Sequence, residues 1–281
     1  RYKNEIIEEV PEVDAVLGTT SYGDILKAIR EAMEGKHFQE FKDIDYLPEK
    51  LGKRVLTTGG HFGYLKIAEG CDKHCTYCII PKLRGKFRSV PMERLVTQAK
   101  EMAEEGVKEL ILVAQETTVY GTDIYGKKSL HILLKELCKI KGIRWIRVLY
   151  CYPEEIYDEL IQTMKEEKKI CHYLDLPIQH ASDRILKRMG RRTTQAELVE
   201  IVNKLRREIP DIVLRTTLIS GFPGETQEDH EELMSFVDEM EFDRLGVFTY
   251  SPEEDTPAAT MPDQVAEEVK EDRRDEIMEL Q

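Results

Sequence analysis

The spacing of apolar positions alternates between strand-like and helix-like patterns from residue 60 onward. Residues 110–114 form an unbroken apolar run of strand length, as expected for a strand that is covered on both faces. Before them, 92–103 keeps helical spacing, with Pro91 at its start and Gly106 at its end. The pattern therefore predicts a helix followed by a buried strand in this part of the chain.

The same alternation continues to the C-terminus. It predicts strands at 64–68, 110–114, 145–150, 172–176, 212–219 and 242–250. Helices are predicted after these strands, beginning at Pro91, Leu130, Pro153, Asp183, Thr194, Thr226 and Gln264. Six successive β-then-α units indicate parallel strands with right-handed crossovers. Because eight units would close a barrel, we expect an α/β fold, a partial (β/α)6 TIM-like barrel, with its site at the carboxyl ends of the strands.

The flanks of the chain differ from this repeat. Residues 1–35 contain an acidic helical segment, a short apolar segment and a second helix, and are predicted to be the C-terminal remnant of a preceding α/β domain. Residues 36–59 resemble a linker, 60–262 contain the barrel, and 263–281 form a C-terminal helix. The chain begins with Arg and carries no signal-peptide pattern, so we expect a piece of a longer protein.

Composition excludes several classes of function. The chain has 281 residues, with 41 Lys and Arg against 54 Asp and Glu, a net charge of −13. This charge disfavours a surface that binds polyphosphates everywhere, although local basic stretches remain, at 84–88 and at Arg191-Arg192. Either stretch is a solvated loop or a docking site for an acidic partner or ribosomal RNA. No apolar run approaches the length of a membrane span, so we expect no membrane partner.

Three of the six cysteines crowd together, in the spacing C-x-x-x-C-x-x-C at Cys71, Cys75 and Cys78. The other three are scattered in apolar context, which is typical of buried small side chains. A structural zinc ion needs four ligands, and His74 is awkwardly placed to be the fourth. Three thiolates instead suit an iron–sulfur cluster in which one iron lacks a protein ligand. A zinc-organised interaction module remains the alternative of another class.

The cysteine motif, with aromatic Tyr77 before its third cysteine, resembles the signature of the radical S-adenosylmethionine (SAM) superfamily. The whole chain further resembles the methylthiotransferases of that superfamily. The segments that carry this second resemblance are 70–85, 112–117, 152–155, 175–180, 217–226 and 250–254. One branch modifies isopentenylated adenosine in tRNA, and the other an aspartate of the twelfth small-subunit ribosomal protein. Gln-His-Ala-Ser at 179–182 favours the ribosomal-protein branch, as do 215–217 and 251–254.

Polar residues near the strand ends have both a structural and a cofactor interpretation. Gln115 and Glu116 follow an apolar strand. They are either turn residues or ligands of the cofactor's ammonium group or ribose. Arg215 lies within an apolar run, where it needs an anionic partner, either the cofactor carboxylate or a protein carboxylate. The resemblance implies SAM contacts from a larger set, namely Tyr77, Gln115, Glu116, Gln179, Arg215, Gly221, Gly224 and Glu225. The two glycines would let backbone approach the adenosyl group.

The resemblance also implies the chemistry. A [4Fe–4S] cluster with an open iron and one SAM would give a 5′-deoxyadenosyl radical that abstracts hydrogen from the β-carbon of the aspartate. Sulfur would arrive through a second [4Fe–4S] cluster in the N-terminal domain, and another SAM would supply the methyl group. The expected electron donor is a flavodoxin or ferredoxin, in the cytoplasm. Because no cysteine precedes Cys71 and a C-terminal β-domain is also missing, we expect this chain alone to cleave SAM without completing methylthiolation.

Overall fold

The computed structural model of the protein describes residues 2–47, 55–57 and 59–281. They form two compact units. The smaller unit contains the described residues up to 55, together with 69–73 and 80–88. The larger unit contains the described residues of 56–68, 74–79 and 89–281.

The smaller unit is built on a short parallel β-α-β arrangement. Its elements are α1 (Lys3–Glu9), β1 (Ala15–Leu17), a 3-10 turn (Tyr22–Asp24), α2 (Ile25–Met33), β2 (Phe38–Glu40) and α3 (Ile80–Arg84). Strand β2 pairs in parallel with β1, in the register Ala15 to Phe38, and α2 packs on both strands. The two helices predicted within 1–35 are therefore present, and the short apolar segment between them forms β1.

The range 36–59 differs from the expected linker where it forms β2, because β1 offers a free edge for backbone pairing. Within that range, 48–54 and 58 lie outside the described residues. The domain boundaries stay predictions.

The larger unit contains a sheet of six parallel strands. These are β3 (Phe62–Lys66), β6 (Glu109–Val113), β7 (Trp145–Val148), β8 (Ile170–Asp175), β9 (Val213–Ser220) and β10 (Arg244–Thr249). Each strand pairs in parallel with its neighbours in chain order. This order is what successive right-handed β-α crossovers produce. The predicted partial (β/α)6 barrel is confirmed.

Helices connect and cover these strands. They are α4 (Met92–Glu104), α5 (Thr122–Tyr125), α6 (Leu130–Cys138), α7 (Asp158–Glu166), α8 (Asp183–Arg188), α9 (Gln195–Glu208), α10 (Gln227–Met240) and α11 (Glu267–Leu280). Two short strands, β4 (Ala68–Glu69) and β5 (Arg88–Ser89), pair separately from the main sheet. No helix in the described ranges is both long and apolar enough to cross a membrane.

Burial along β9 shows how the sheet is layered. Leu214, Thr216, Leu218 and Ser220 are buried, whereas the alternate residues are only partly buried. Successive side chains of a strand point to opposite faces, so one face lies in the core and the other is more open. Helix α10 begins with the predicted capping box, in which Thr226 and Asp229 each accept a hydrogen bond from the other's backbone N–H.

Two predicted boundaries shift for local reasons. The helix expected from Pro153 begins only at α7, because Pro153–Glu155 forms a 3-10 turn and Ile156 is extended. Helix α11 begins after Gln264, whose side chain instead donates to the carbonyls of Ala258 and Met261. The short helices α3 and α5 were not predicted, since four or five residues carry no readable helical period.

Candidate functional site

The first cysteine of the motif lies in the smaller unit, just after β4. Cys71 is buried, and its N–H donates to the carbonyl of Gly85 at 3.2 Å. Gly70 has φ +75°, and a Cβ there would collide with the Lys86 carbonyl. The Asp72 carboxylate accepts a hydrogen bond from Phe87 N–H at 3.0 Å. The sequence Gly-Cys-Asp therefore fixes the backbone at the start of the cysteine loop.

Cys75 lies in the larger unit, where the loop is held by the end of α8. Thr76 N–H donates to the Met189 carbonyl at 2.9 Å, and Thr76 Oγ1 to the Arg188 carbonyl at 2.8 Å. Cys75 is buried, and its Sγ lies 3.6 Å from the Tyr152 hydroxyl. All six cysteines of the chain are thiols. The loop thus places one motif thiol beside a phenol from the segment after β7.

A buried guanidinium lies over the ring of that phenol. Arg191 Cζ is 4.2 Å from the centroid of the Tyr152 ring, within the range of a cation–π interaction. Arg191 Nη2 donates to Glu154 Oε2 and to the Pro177 carbonyl, both at 3.3 Å. Its Nε and Nη1 are buried and have no hydrogen-bond partner among the described residues. Sequence reading placed Arg191 on a solvated or docking loop, and that interpretation is wrong, although Arg192 is exposed.

The ionisable groups around Cys75 are displaced from their ordinary pKa values. Burial raises the pKa of Tyr77 and of Tyr152 well above the usual phenol value, and the neighbouring Cys75 adds to both shifts. Burial acts to lower the pKa of Arg191, but Glu154 and the nearby phenols raise it by more. At neutral pH, both phenols therefore keep their protons and Arg191 keeps its charge.

Tyr77 itself is packed into the core. Its ring meets Phe222 edge to face, with ring centroids 6.3 Å apart, and belongs to a cluster with Tyr250 and Met189. This contact anchors the loop between Cys75 and Cys78. The expected contact of Tyr77 with SAM stays a prediction.

The pair after β6 divides between two roles. Glu116 is buried, and its Oε1 accepts from Thr118 N–H at 2.9 Å, from the Thr118 hydroxyl and from Tyr152 N–H at 3.5 Å. Gln115 Oε1 is buried and has no hydrogen-bond partner in the described part of the chain. Glu116 thus holds the turn, whereas Gln115 presents an acceptor that a ligand's ammonium group or hydroxyl could use.

Gln179 pairs through its backbone with β9, and Arg215 lies within that strand. Gln179 has φ +74°, and its backbone bonds to Thr217 and Ile219 at 3.0 and 2.8 Å. Arg215 Nη1 donates to Asp175 Oδ1 at 2.5 Å. The protein carboxylate considered as a partner for Arg215 is therefore present. A contact of Gln179 or Arg215 with SAM stays a prediction.

The turn from Gly221 to Glu225 is filled by the protein itself. A Cβ on Gly221 (φ +70°) would collide with the Lys270 side chain, and one on Gly224 (φ +83°) would come within 2.7 Å of the Arg188 guanidinium. Glu225 Oε2 accepts from the backbone N–H groups of Gly221 and Phe222, at 2.8 and 3.2 Å.

The other carboxylate oxygen of Glu225, Oε1, accepts a hydrogen bond from Arg273 Nη1 at 3.0 Å. These contacts account for both glycines and for Glu225 within the protein, and their assignment to SAM stays a prediction.

Two arginines of the basic stretch after the cysteines form ion pairs within the smaller unit. Arg84 pairs with Glu69 at 3.4 Å, and Arg88 pairs with Asp45 at 3.0 Å. Lys86 is exposed. A docking role for this stretch stays a prediction.

The donor set fits an iron–sulfur cluster better than a single ion. A structural zinc ion takes four ligands, whereas a [4Fe–4S] cluster can be held by three thiolates, each on a different iron.

Sequence reasoning missed three positively charged side chains that pack on the Gly221–Glu225 turn. Arg188, Lys270 and Arg273 are charged residues on helices, and nothing in their local pattern distinguishes them from surface residues. Tyr152 had a weak signal, since it opens one of the segments shared with the methylthiotransferases.

Comparison with known proteins places the chain among radical SAM proteins. Residues 65–237 match the radical SAM superfamily. The chain is 66% identical over 281 residues to the ribosomal protein uS12 methylthiotransferase RimO of Lachnoclostridium phytofermentans, and 56% identical over 283 residues to the RimO of Clostridium perfringens. The match covers all of this chain but only 64% and 63% of those relatives.

Solved structures show the same fold at low identity. The radical SAM methyltransferase TsrM from Kitasatospora setae superposes with a TM-score of 0.59 and 16% identity, covering 70% of this chain and 38% of TsrM. Coproporphyrinogen III oxidase (HemN) from Escherichia coli gives 0.57 and 21%, covering 78% of this chain and 51% of HemN.

Proposed function

The chain belongs to the radical SAM superfamily, and from that premise we propose that it contains the catalytic barrel of a methylthiotransferase acting on an aspartate of ribosomal protein uS12. One observation carries the proposal. The three-cysteine motif follows the first barrel strand and places Cys75 against Tyr152 and buried Arg191. The identity to RimO proteins supports the choice of substrate.

The cluster would be held by Cys71, Cys75 and Cys78. When bound, a [4Fe–4S] cluster supplies one electron and an open iron that chelates SAM. The chain's own residues hold and shield this chemistry. Gln115 Oε1 would accept a hydrogen bond from SAM, Glu116 fixes the turn beside it, and burial of Cys75 keeps water away from its sulfur.

Further partners belong to the same proposal. Sulfur insertion needs a second [4Fe–4S] cluster in an N-terminal domain, and reduction needs a flavodoxin or ferredoxin. Both fit a reducing cytoplasm, where thiols such as those of Cys138 and Cys151 persist.

Metal analysis of the full-length protein, reconstituted without oxygen, tests the site. Cys75→Ala should lose about four irons per chain and all SAM cleavage to 5′-deoxyadenosine. Cys138→Ala, a half-buried cysteine outside the motif, is the matched control and should keep both. Equal iron content and equal SAM cleavage in the two variants would contradict the proposal.

The substrate is tested by competition. Full-length enzyme with SAM, a reductant and a sulfur source receives uS12 and tRNA together. Mass spectrometry should find the methylthio group on a uS12 aspartate. Modification of adenosine alone would assign the chain to the tRNA branch instead.

A further inference from the structure

Tyr152 and Arg191 form a stacked pair against Cys75 that the proposed function leaves without a role. The Tyr152 hydroxyl is 3.6 Å from Cys75 Sγ, and the Arg191 guanidinium stacks on the same ring at 4.2 Å. All three residues lie in the larger unit. The pair therefore links a buried cation to the sulfur of one predicted cluster ligand through a single phenol.

Arg191 is costly to bury in this form. Its charge cannot be removed by deprotonation, and only Nη2 has hydrogen-bond partners within the described residues. A buried donor left without a partner destabilises the folded state, and more so when it carries charge. A nearby anion would offset this cost. Glu154, at 3.3 Å, supplies part of that negative charge.

A cluster held by three thiolates would supply the rest of the negative charge near Arg191. It carries net negative charge, which increases by one when the cluster accepts an electron. A fixed positive charge beside it therefore stabilises the reduced state more than the oxidised state. Hydrogen bonds to ligand sulfur act in the same direction, because they withdraw charge from the sulfur. The cation over the ring also polarises the phenol and makes its O–H a stronger donor.

We infer that Tyr152 and Arg191 raise the reduction potential of the cluster, Tyr152 as a hydrogen-bond donor to Cys75 and Arg191 as a fixed charge behind it. This inference rests on the proposed function, since it requires the cluster on Cys75. Both are positioning residues: they set how readily the cluster is reduced, and neither is required to contact the substrate.

The test is a redox titration of the reconstituted full-length protein, followed by electron paramagnetic resonance. Tyr152→Phe removes one hydroxyl, and its cluster should have a more negative midpoint potential than wild type. Tyr157→Phe removes a hydroxyl that contacts His131 instead, and should leave the potential unchanged. Arg191→Met should shift the potential in the same direction as Tyr152→Phe, and Arg191→Lys should restore most of the wild-type value.

Iron content and thermal unfolding of each variant separate this role from a structural one. Should Arg191→Met fail to fold, Tyr152→Phe decides the question alone. A wild-type potential in Tyr152→Phe, with the cluster fully loaded, overturns the inference and leaves the proposed function standing. If wild-type protein binds no [4Fe–4S] cluster on the motif, the proposed function itself fails.

Discussion

Two buried charged regions of the larger unit are built in opposite ways. In the Gly221–Glu225 turn, both oxygens of the Glu225 carboxylate accept hydrogen bonds from the protein. Beside Cys75, two of the three nitrogens of the Arg191 guanidinium have no partner within the described residues. Buried polar groups are normally satisfied. The Glu225 carboxylate is therefore satisfied within the protein, although Nε of its partner Arg273 is also buried without a hydrogen-bond partner in the described residues. Arg191, with two such nitrogens, indicates a group that binds beside it.

The contrast also changes how the expected SAM contacts are weighed. Glu225, Gly221 and Gly224 are occupied by contacts within the protein, but Gln115 keeps a buried acceptor without a partner. A position near the end of a strand therefore does not by itself distinguish a cofactor ligand from a structural residue.

Glu225→Gln should destabilise the fold by about 3–5 kcal/mol, because it leaves the Arg273 guanidinium buried without its anion. Urea unfolding of the full chain measures this change. Glu279→Gln, at an exposed position of α11, should change stability by less than about 0.5 kcal/mol. If Glu225→Gln instead kept its stability and lost SAM binding, Glu225 would be a cofactor ligand and the contrast would fail.

Gly221→Ala should cost about 2–4 kcal/mol, since its Cβ would meet Lys270 and its φ is +70°. Gly23→Ala is the matched control, because nothing lies within 4 Å of its Cβ position. Thermal unfolding compares the two. Near-equal melting temperatures would show that the turn adapts and that Lys270 does not require glycine there.

Asp229 makes the start of α10 sensitive to acid. Burial alone would raise its pKa, but hydrogen bonds from Thr226, Arg184 and Ser182 hold the pKa at about 2. Since this lies below the unfolded value near 4, the stabilisation is complete above about pH 4 and is lost as the pH falls towards 2.

The lowered pKa of Asp229 stabilises the folded state by about 2 kcal/mol. Unfolding measured from pH 5 to pH 2 should therefore show a steeper loss of stability in wild type than in Asp229→Asn. Parallel pH curves for the two proteins would rule out this assignment.

Gln115→Leu should leave the free energy of unfolding within about 0.5 kcal/mol, because no protein hydrogen bond to Oε1 is lost. SAM affinity should fall roughly tenfold, the equivalent of one hydrogen bond. Isothermal titration calorimetry of the cluster-loaded protein with SAM measures this affinity. Undiminished affinity would return Gln115 to the status of a turn residue.

The helices and strands, and their order along the chain, follow from local patterns of residues. The apolar run at 110–114 becomes β6, and the Thr226–Asp229 capping box starts α10, because both depend on contacts within a few residues. The cysteine motif was likewise identified from its spacing, which is local. These features are legible because hydrophobic period and helix capping are short-range.

Which charged side chains are buried, and what surrounds them, depends instead on how the whole barrel packs. Arg191 and Arg192 are neighbours in sequence, yet one is buried and the other is exposed. Tyr152 reaches Cys75 across 77 positions, and Lys270 packs on Gly221 across 49 (270 − 221). Such contacts depend on where each crossover returns the chain to the ends of the strands. That placement is set by packing of the whole barrel, so no local pattern can encode it.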